Sequence, residues 1–142
     1  MVAHGTAWVP ERPGKFKTPG FKHYGWGTYT RRVKGAGNEW VHASLPYLSR
    51  LEGDRTFVTW VEFCAQSTNG ANTKPTHIHV WNNRTRIEAH SISWAANNNY
   101  QCHGVTVDPP NMAESQGISV RIHYDNDTDS VTLFKAWARA SS

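Results

Sequence analysis

The chain has 142 residues, 38% of them hydrophobic, with seven tryptophans and a mean hydropathy of −0.63, which is enough for one domain with a real core but not for two. Fifteen Lys and Arg against eleven Asp and Glu give a net charge of +4. The basic residues are scattered, so no stripe suited to specific nucleic-acid binding forms, and no apolar run reaches membrane-spanning length.

The opening segment holds Pro10, Pro13 and Pro19 with Gly14 and Gly20. Proline lacks an N–H and fixes φ, so residues 1–23 are predicted as an irregular, extended segment that wraps the fold, with one short strand at Thr6–Val9. It shows no charged start followed by an apolar run. The expectation is a soluble chain, cytoplasmic or exported without a visible signal peptide.

Tyr24–Val33 and Glu39–Leu45 are aromatic and β-branched, and the intervening Lys-Gly-Ala-Gly-Asn predicts a hairpin between them. Arg55–Ala65 is apolar on both sides and reads as an internal strand. Lys74–Trp81, Thr85–Trp94, Tyr100–Val107, Gly117–Tyr124 and Ser130–Ala138 follow, separated by Asn, Gly, Asp or Pro clusters. Beyond one helical turn at Ala113–Ser115, no segment carries a helical period. The pattern predicts an all-β, single-domain antiparallel β-sandwich of about eight or nine strands.

Side chains alternate across a sheet, so Ile78 and Val80 point one way and His77, His79 and Trp81 the other. If Asn82-Asn83 or Asn83-Arg84 forms a two-residue turn in a regular ladder, Ile87 and Ala89 join the buried side. Arg86, Glu88 and His90 then join the open one. His77, His79, His90 and Glu88 would in that case be candidate ligands for a first-row transition metal, and the competing reading is a solvated hairpin face.

Other chemistry is thinly represented. Cys64 and Cys102 are either buried thiols or one bridge. There is no nucleophile elbow, phosphate-binding glycine loop or nucleotide-cofactor fingerprint. Asp125, Asp127 and Asp129 are spaced like the start of a calcium loop, but no downstream Glu completes the set, which favours an acidic hairpin turn.

The aromatic residues point to a ligand. A tryptophan or tyrosine platform covers the apolar face of a sugar ring while neighbouring Asn, Arg, His and Glu bond its hydroxyls. Tyr24, Trp26, Trp60, Trp81, Arg86 and Arg121 are the candidate binding residues, with Trp60, Trp81 and Trp94 sharing the His-rich face and Trp8, Trp40 and Trp137 plugging the sandwich ends.

The stretches AHGTAWVPE (Ala3 to Glu11), HYGWGTY (His23 to Tyr29), HVWN (His79 to Asn82) and GISVRIHY (Gly117 to Tyr124) resemble a family of small single-domain bacterial and fungal proteins classed as a domain of unknown function. That family's turn often reads Asp-Gly, where this chain has Asn82-Asn83. The resemblance implies an all-β sandwich and no assigned catalytic residues. Three functional expectations follow: a lectin-type module for a glycan or small ligand, a metal-dependent enzyme on the hairpin face, or a structural homo-oligomer. The last would assemble through the strand at Arg55–Ala65 and the N-terminal arm.

Overall fold

Period-two alternation of Val, Ile and aromatic residues with polar ones builds this chain almost wholly from strands. The computed structural model describes residues 2–3, 8–45, 50–51, 54–55, 57–112 and 116–141. In order these form β1 (Val2–Ala3), β2 (Trp8–Pro10), a 3-10 turn (Pro13–Lys15), β3 (Phe16–Tyr24), β4 (Gly27–Arg32), β5 (Gly37–Ser44), β6 (Arg50–Leu51) and β7 (Asp54–Arg55). They continue with β8 (Phe57–Ser67), β9 (Lys74–Asn82), β10 (Thr85–Ser91), β11 (Gln101–Met112), β12 (Gln116–Tyr124) and β13 (Val131–Ser141).

Two antiparallel sheets pack face to face. The first runs β11-β8-β13-β4-β3, with β1 also paired to β13, and the second runs β10-β9-β12-β5-β2. Val61, Phe63, Ala65 and Leu133 from the first sheet meet Val41, Ile78, Val80, Ile118, Val120 and Ile122 from the second, with Trp8 among them. Full burial of each Val, Ile or Phe side chain contributes about 1.5–3 kcal/mol, which fixes the two sheets as the expected β-sandwich.

Two features depart from the expectation. The N-terminal segment is not irregular throughout: β2 and β3 are the outermost strands of the two sheets. Pro10 ends one and Pro19 lies in the other, positions where a missing N–H leaves no central ladder bond broken. The expected hairpin between β4 and β5 is instead a crossover from one sheet to the other, and the true partner of β4 is β3, joined through Gly25-Trp26. Ala113–Ser115 lies outside the described residues.

A buried carboxylate ties the two ends of the crossover together. Glu39, 1% exposed, accepts bonds from Arg12 Nη2 at 2.9 and 3.0 Å and from Arg32 Nε at 3.2 Å. Arg32 also donates to the carbonyls of Lys34 and Ala36, at 2.7 and 2.6 Å, and so shapes the connecting loop. A charge this deeply buried requires such pairing. The arm carrying Arg12 is thereby tied to the sandwich.

Cys64 of β8 and Cys102 of β11 stand directly opposite each other and are bridged. Asp129 Oδ2 accepts from Asn69 Nδ2, Thr73 Oγ1 and Asn126 Nδ2 at 3.0, 2.6 and 3.1 Å. Asp127 Oδ2 accepts the Gly35 N–H at 3.1 Å. These carboxylates brace the connection from β12 to β13, which crosses between the sheets and is not the expected hairpin turn.

Candidate functional site

The outer face of the second sheet is built row by row from the strand register. Ser119 on β12 lies between His42 on β5 and His79 on β9. Arg121 lies between Trp40 and His77, and Gly117 between Ser44 and Trp81. Buried Ile118, Val120 and Ile122 alternate with these residues, so Gly117, Ser119, Arg121 and His123 must face outward. On β10, Arg86 stands opposite Trp81.

This face is a hydrogen-bonded aromatic surface. The Trp81 indole donates to Ser119 Oγ at 3.0 Å, and His42 Nδ1 shares that oxygen at 2.6 Å. Trp40 and His79 rings lie 4.5 Å apart, and the His79 ring meets the Trp81 ring edge-on at 6.3 Å. Because Gly117 has no side chain, a depression of about 300 Å³ opens beside Trp81, lined by Val9, His42, Ser44, Gly117 and Ser119. Burial lowers the pKa of His79 below 6.5, and the neighbouring Arg86 guanidinium and His77 lower it further. His79 is therefore neutral at pH 7.

The hairpin register corrects the metal reading. The turn is Asn83-Arg84, with Asn83 at φ 54° as an Asn-led turn requires. After Arg86, however, the ladder slips by one residue at Ile87, so Glu88 faces Val80 and His90 faces Ile78. A β-bulge reverses every later side chain. Glu88 and His90 thus lie on the opposite side from His77 and His79, and Ala89 and Ser91 take the outward positions opposite those two histidines.

Glu88 has partners of its own: His90 Nε2 at 2.6 Å and the Asp108 N–H at 3.0 Å. Burial alone would raise its pKa, but the Asp108 N–H and the His90 contact outweigh burial and lower it below 4.5. Among the described residues, the set of three or more His, Cys, Asp or Glu side chains whose ligand atoms lie within 4.8 Å of one another is Glu62, Cys64 and Cys102, and those two cysteines are already bonded. His77, His79, His90 and Glu88 do not converge.

The remaining candidate residues occupy other places. Trp60 faces outward from the first sheet, packed so closely on Gly104 of β11 that a side chain there would collide with its indole. Trp94 is buried against His103, ring to ring at 4.8 Å. Trp40 and Trp137 are not end plugs: the first lies beside Arg121, and the second donates to Glu62 Oε1 at 2.9 Å on the first sheet. Trp8 is fully buried in the core.

Tyr24 and Trp26 form a separate platform at the β3–β4 turn. Their rings are stacked at 5.0 Å and 4°, Phe134 lies beyond Trp26 at 5.9 Å, and Tyr100 abuts Phe134 at 5.0 Å. Trp26 is 58% exposed. The sequence-predicted set therefore divides: Trp81, Arg86, Arg121, His77 and His79 share one face, and Tyr24, Trp26 and Trp60 belong to the other sheet. Trp40, His42 and Ser119 were not among the predicted residues. The alternation of Trp40 and His42 with buried Val41 was the available signal, but its use needed the knowledge that β5 pairs with β12.

No family model matches the sequence, and no curated protein matches it. Solved structures do resemble the fold. The carbohydrate-binding module TmCBM61, in complex with β-1,4-galactotriose, superposes with a TM-score of 0.56 at 10% identity, covering 97% of this chain and 91% of that one. A CBM36-1 domain of a multidomain xylanase, from the hindgut metagenome of Trinervitermes trinervoides, gives 0.55 at 9% identity, covering 100% and 98%. A family 29 carbohydrate-binding module complexed with cellulohexaose gives 0.50 at 10% identity, covering 97% and 90%. At these identities the similarity is one of architecture, and the chain folds as a β-sandwich of the kind these modules use.

Proposed function

We propose that this chain binds carbohydrate through the outer face of its second sheet. The observation that carries this reading is Trp81: its indole N–H is fixed by Ser119, its ring borders an open depression beside Gly117, and donors and acceptors from His42, Ser44, His79 and Arg86 surround it. A sugar ring needs that combination of one apolar platform and convergent polar groups. The similar folds support the reading, because those modules are described as bound to galactotriose and cellulohexaose.

The metal-dependent alternative loses its ligand set to the Ile87 bulge. No helix among the described residues is long and apolar enough to cross a membrane. The Cys64–Cys102 bridge fits an oxidising compartment, where such bonds persist, and favours the exported over the cytoplasmic alternative. The test is a glycan array followed by calorimetry with the bound glycan. Wild-type chain should bind, and Trp81→Ala should lose at least about tenfold in affinity. Silence across neutral and acidic glycans, or unchanged binding by Trp81→Ala, refutes the reading.

A further inference from the structure

We propose, building on the glycan-binding reading, that the ligand of this face is an acidic polysaccharide whose carboxylate or sulfate groups are held by Arg121, Arg86 and Lys74 beside the tryptophan platform. Counted strand by strand, the fixed charges of the face are mostly positive. β9 presents the cation Lys74, β12 presents Arg121 and β10 presents Arg86, while His42, His77, His79 and His123 line the same face as hydrogen-bonding imidazoles. Against these stand Glu11, at the rim and 3.6 Å from His42 Nε2, and the exposed Asp125 just past the end of β12.

The other acids with described side chains are placed elsewhere, Asp108 among them on β11 of the first sheet. Glu39 is buried and held by Arg12 and Arg32. Glu62 lies on the other sheet and accepts from Trp137. Asp127 and Asp129 brace the connection before β13. Glu88 is two residues from Arg86 and would neutralise it in a regular strand, but the bulge turns it away to Asp108 and His90. Among the described residues, Arg86, Arg121 and Lys74 have no acidic partner within ion-pair distance.

Arg121 is the most informative of the three. It sits half-buried in a middle strand, flanked by Trp40 and His77. A partly desolvated guanidinium is strongly favoured by an anion with two oxygens in one plane, which a uronate carboxylate supplies and a sulfate approximates. The same residue row offers an aromatic surface for the sugar ring. Attraction by several like charges also concentrates an extended polyanion at the face.

The experiment measures affinity of the full chain for matched pairs: an oligogalacturonate and its methyl ester, dextran sulfate and dextran, with single-stranded DNA as a non-sugar polyanion. The charged member of at least one pair should bind about tenfold or more tightly than its neutral partner, with the advantage shrinking as salt rises. Which pair shows the preference separates carboxylate from sulfate. Arg121→Gln should erase the preference, and the exposed Arg86→Gln should weaken it without a folding defect. Equal binding of charged and neutral members overturns this inference and leaves the glycan reading standing. Binding of no sugar at all removes both, and DNA binding as tight as the best acidic glycan shows bare polyanion attraction and overturns it as well.

Discussion

Trp81 donates its indole N–H to Ser119 Oγ at 3.0 Å, across the β9–β12 pair. That bond fixes the plane of the ring that a sugar would cover, and the same oxygen is engaged by His42 at 2.6 Å. Ser119→Ala should therefore leave the platform present but less ordered. Glycan affinity is expected to fall several-fold, less than for Trp81→Ala, and stability by about 1 kcal/mol for the lost buried hydrogen bond. Calorimetric titration and thermal melts of both variants check the order; equal losses of affinity would show that Ser119 itself contacts ligand.

Trp26 supplies the control. Its exposed ring belongs to the Tyr24–Phe134 stack on the other sheet, so Trp26→Ala should leave affinity for a ligand of the Trp81 face unchanged. The lost ring contacts should cost about 0.5–1.5 kcal/mol of stability. A loss of affinity matching that of Trp81→Ala would move the site to the first sheet.

The bulge at Ile87 makes a constructive prediction. Ala89 and Ser91 are exposed and stand opposite His79 and His77, where cross-strand Cβ atoms lie about 4.5–5.5 Å apart. Replacing both, Ala89→His with Ser91→His, should assemble four imidazoles on one face and bind Zn²⁺ or Co²⁺ at least about tenfold more tightly than wild type. Absorption of the Co²⁺ complex reports the geometry. Glu88→His, which sets a second imidazole near the existing His90 on the other side of the strand, should give no such gain, and a gain there would mean the register is regular.

Stability should fall on mild acidification. His79 and His103 both have folded pKa values below 6.5, burial being the main cause, with Glu62 opposing the shift at His103. Above 6.5 both states carry neutral imidazoles and neither residue contributes. As pH drops through 6.5 the unfolded chain takes up protons first, so unfolding is favoured until the folded pKa values are reached. Thermal midpoints should decline between pH 7.5 and 5.5, and His103→Gln should flatten the slope. Glu88, depressed below 4.5, adds a separate loss at lower pH. A flat profile from pH 7.5 to 5.5 would contradict the assignment.

Much of the strand pattern was legible because alternation is a local property. Ile118, Val120, Ile122 and Tyr124 are all buried, as their spacing requires, and the outward positions of His77, His79, Trp81 and Arg121 follow from the same rule. The turn at Asn83-Arg84 was one of the two short loops the sequence allowed. Glu88, His90 and Ala89 were misplaced because a single unpaired residue inverts everything after it, and no composition signal marks Ile87 as that residue.

The amino-acid sequence by itself determined which residues alternate, where turns interrupt them, and hence a sandwich with an aromatic, histidine-rich hairpin on one side. Only the tertiary structure decided which strands are neighbours. It placed β12 between β5 and β9, which brought Trp40, His42, Ser119 and Arg121 to Trp81, and it sent β4 to the other sheet with Trp26. Side-chain direction is set within a few residues by backbone geometry, whereas strand pairing is set by long-range burial and by contacts such as Arg12–Glu39, which join residues far apart in the chain.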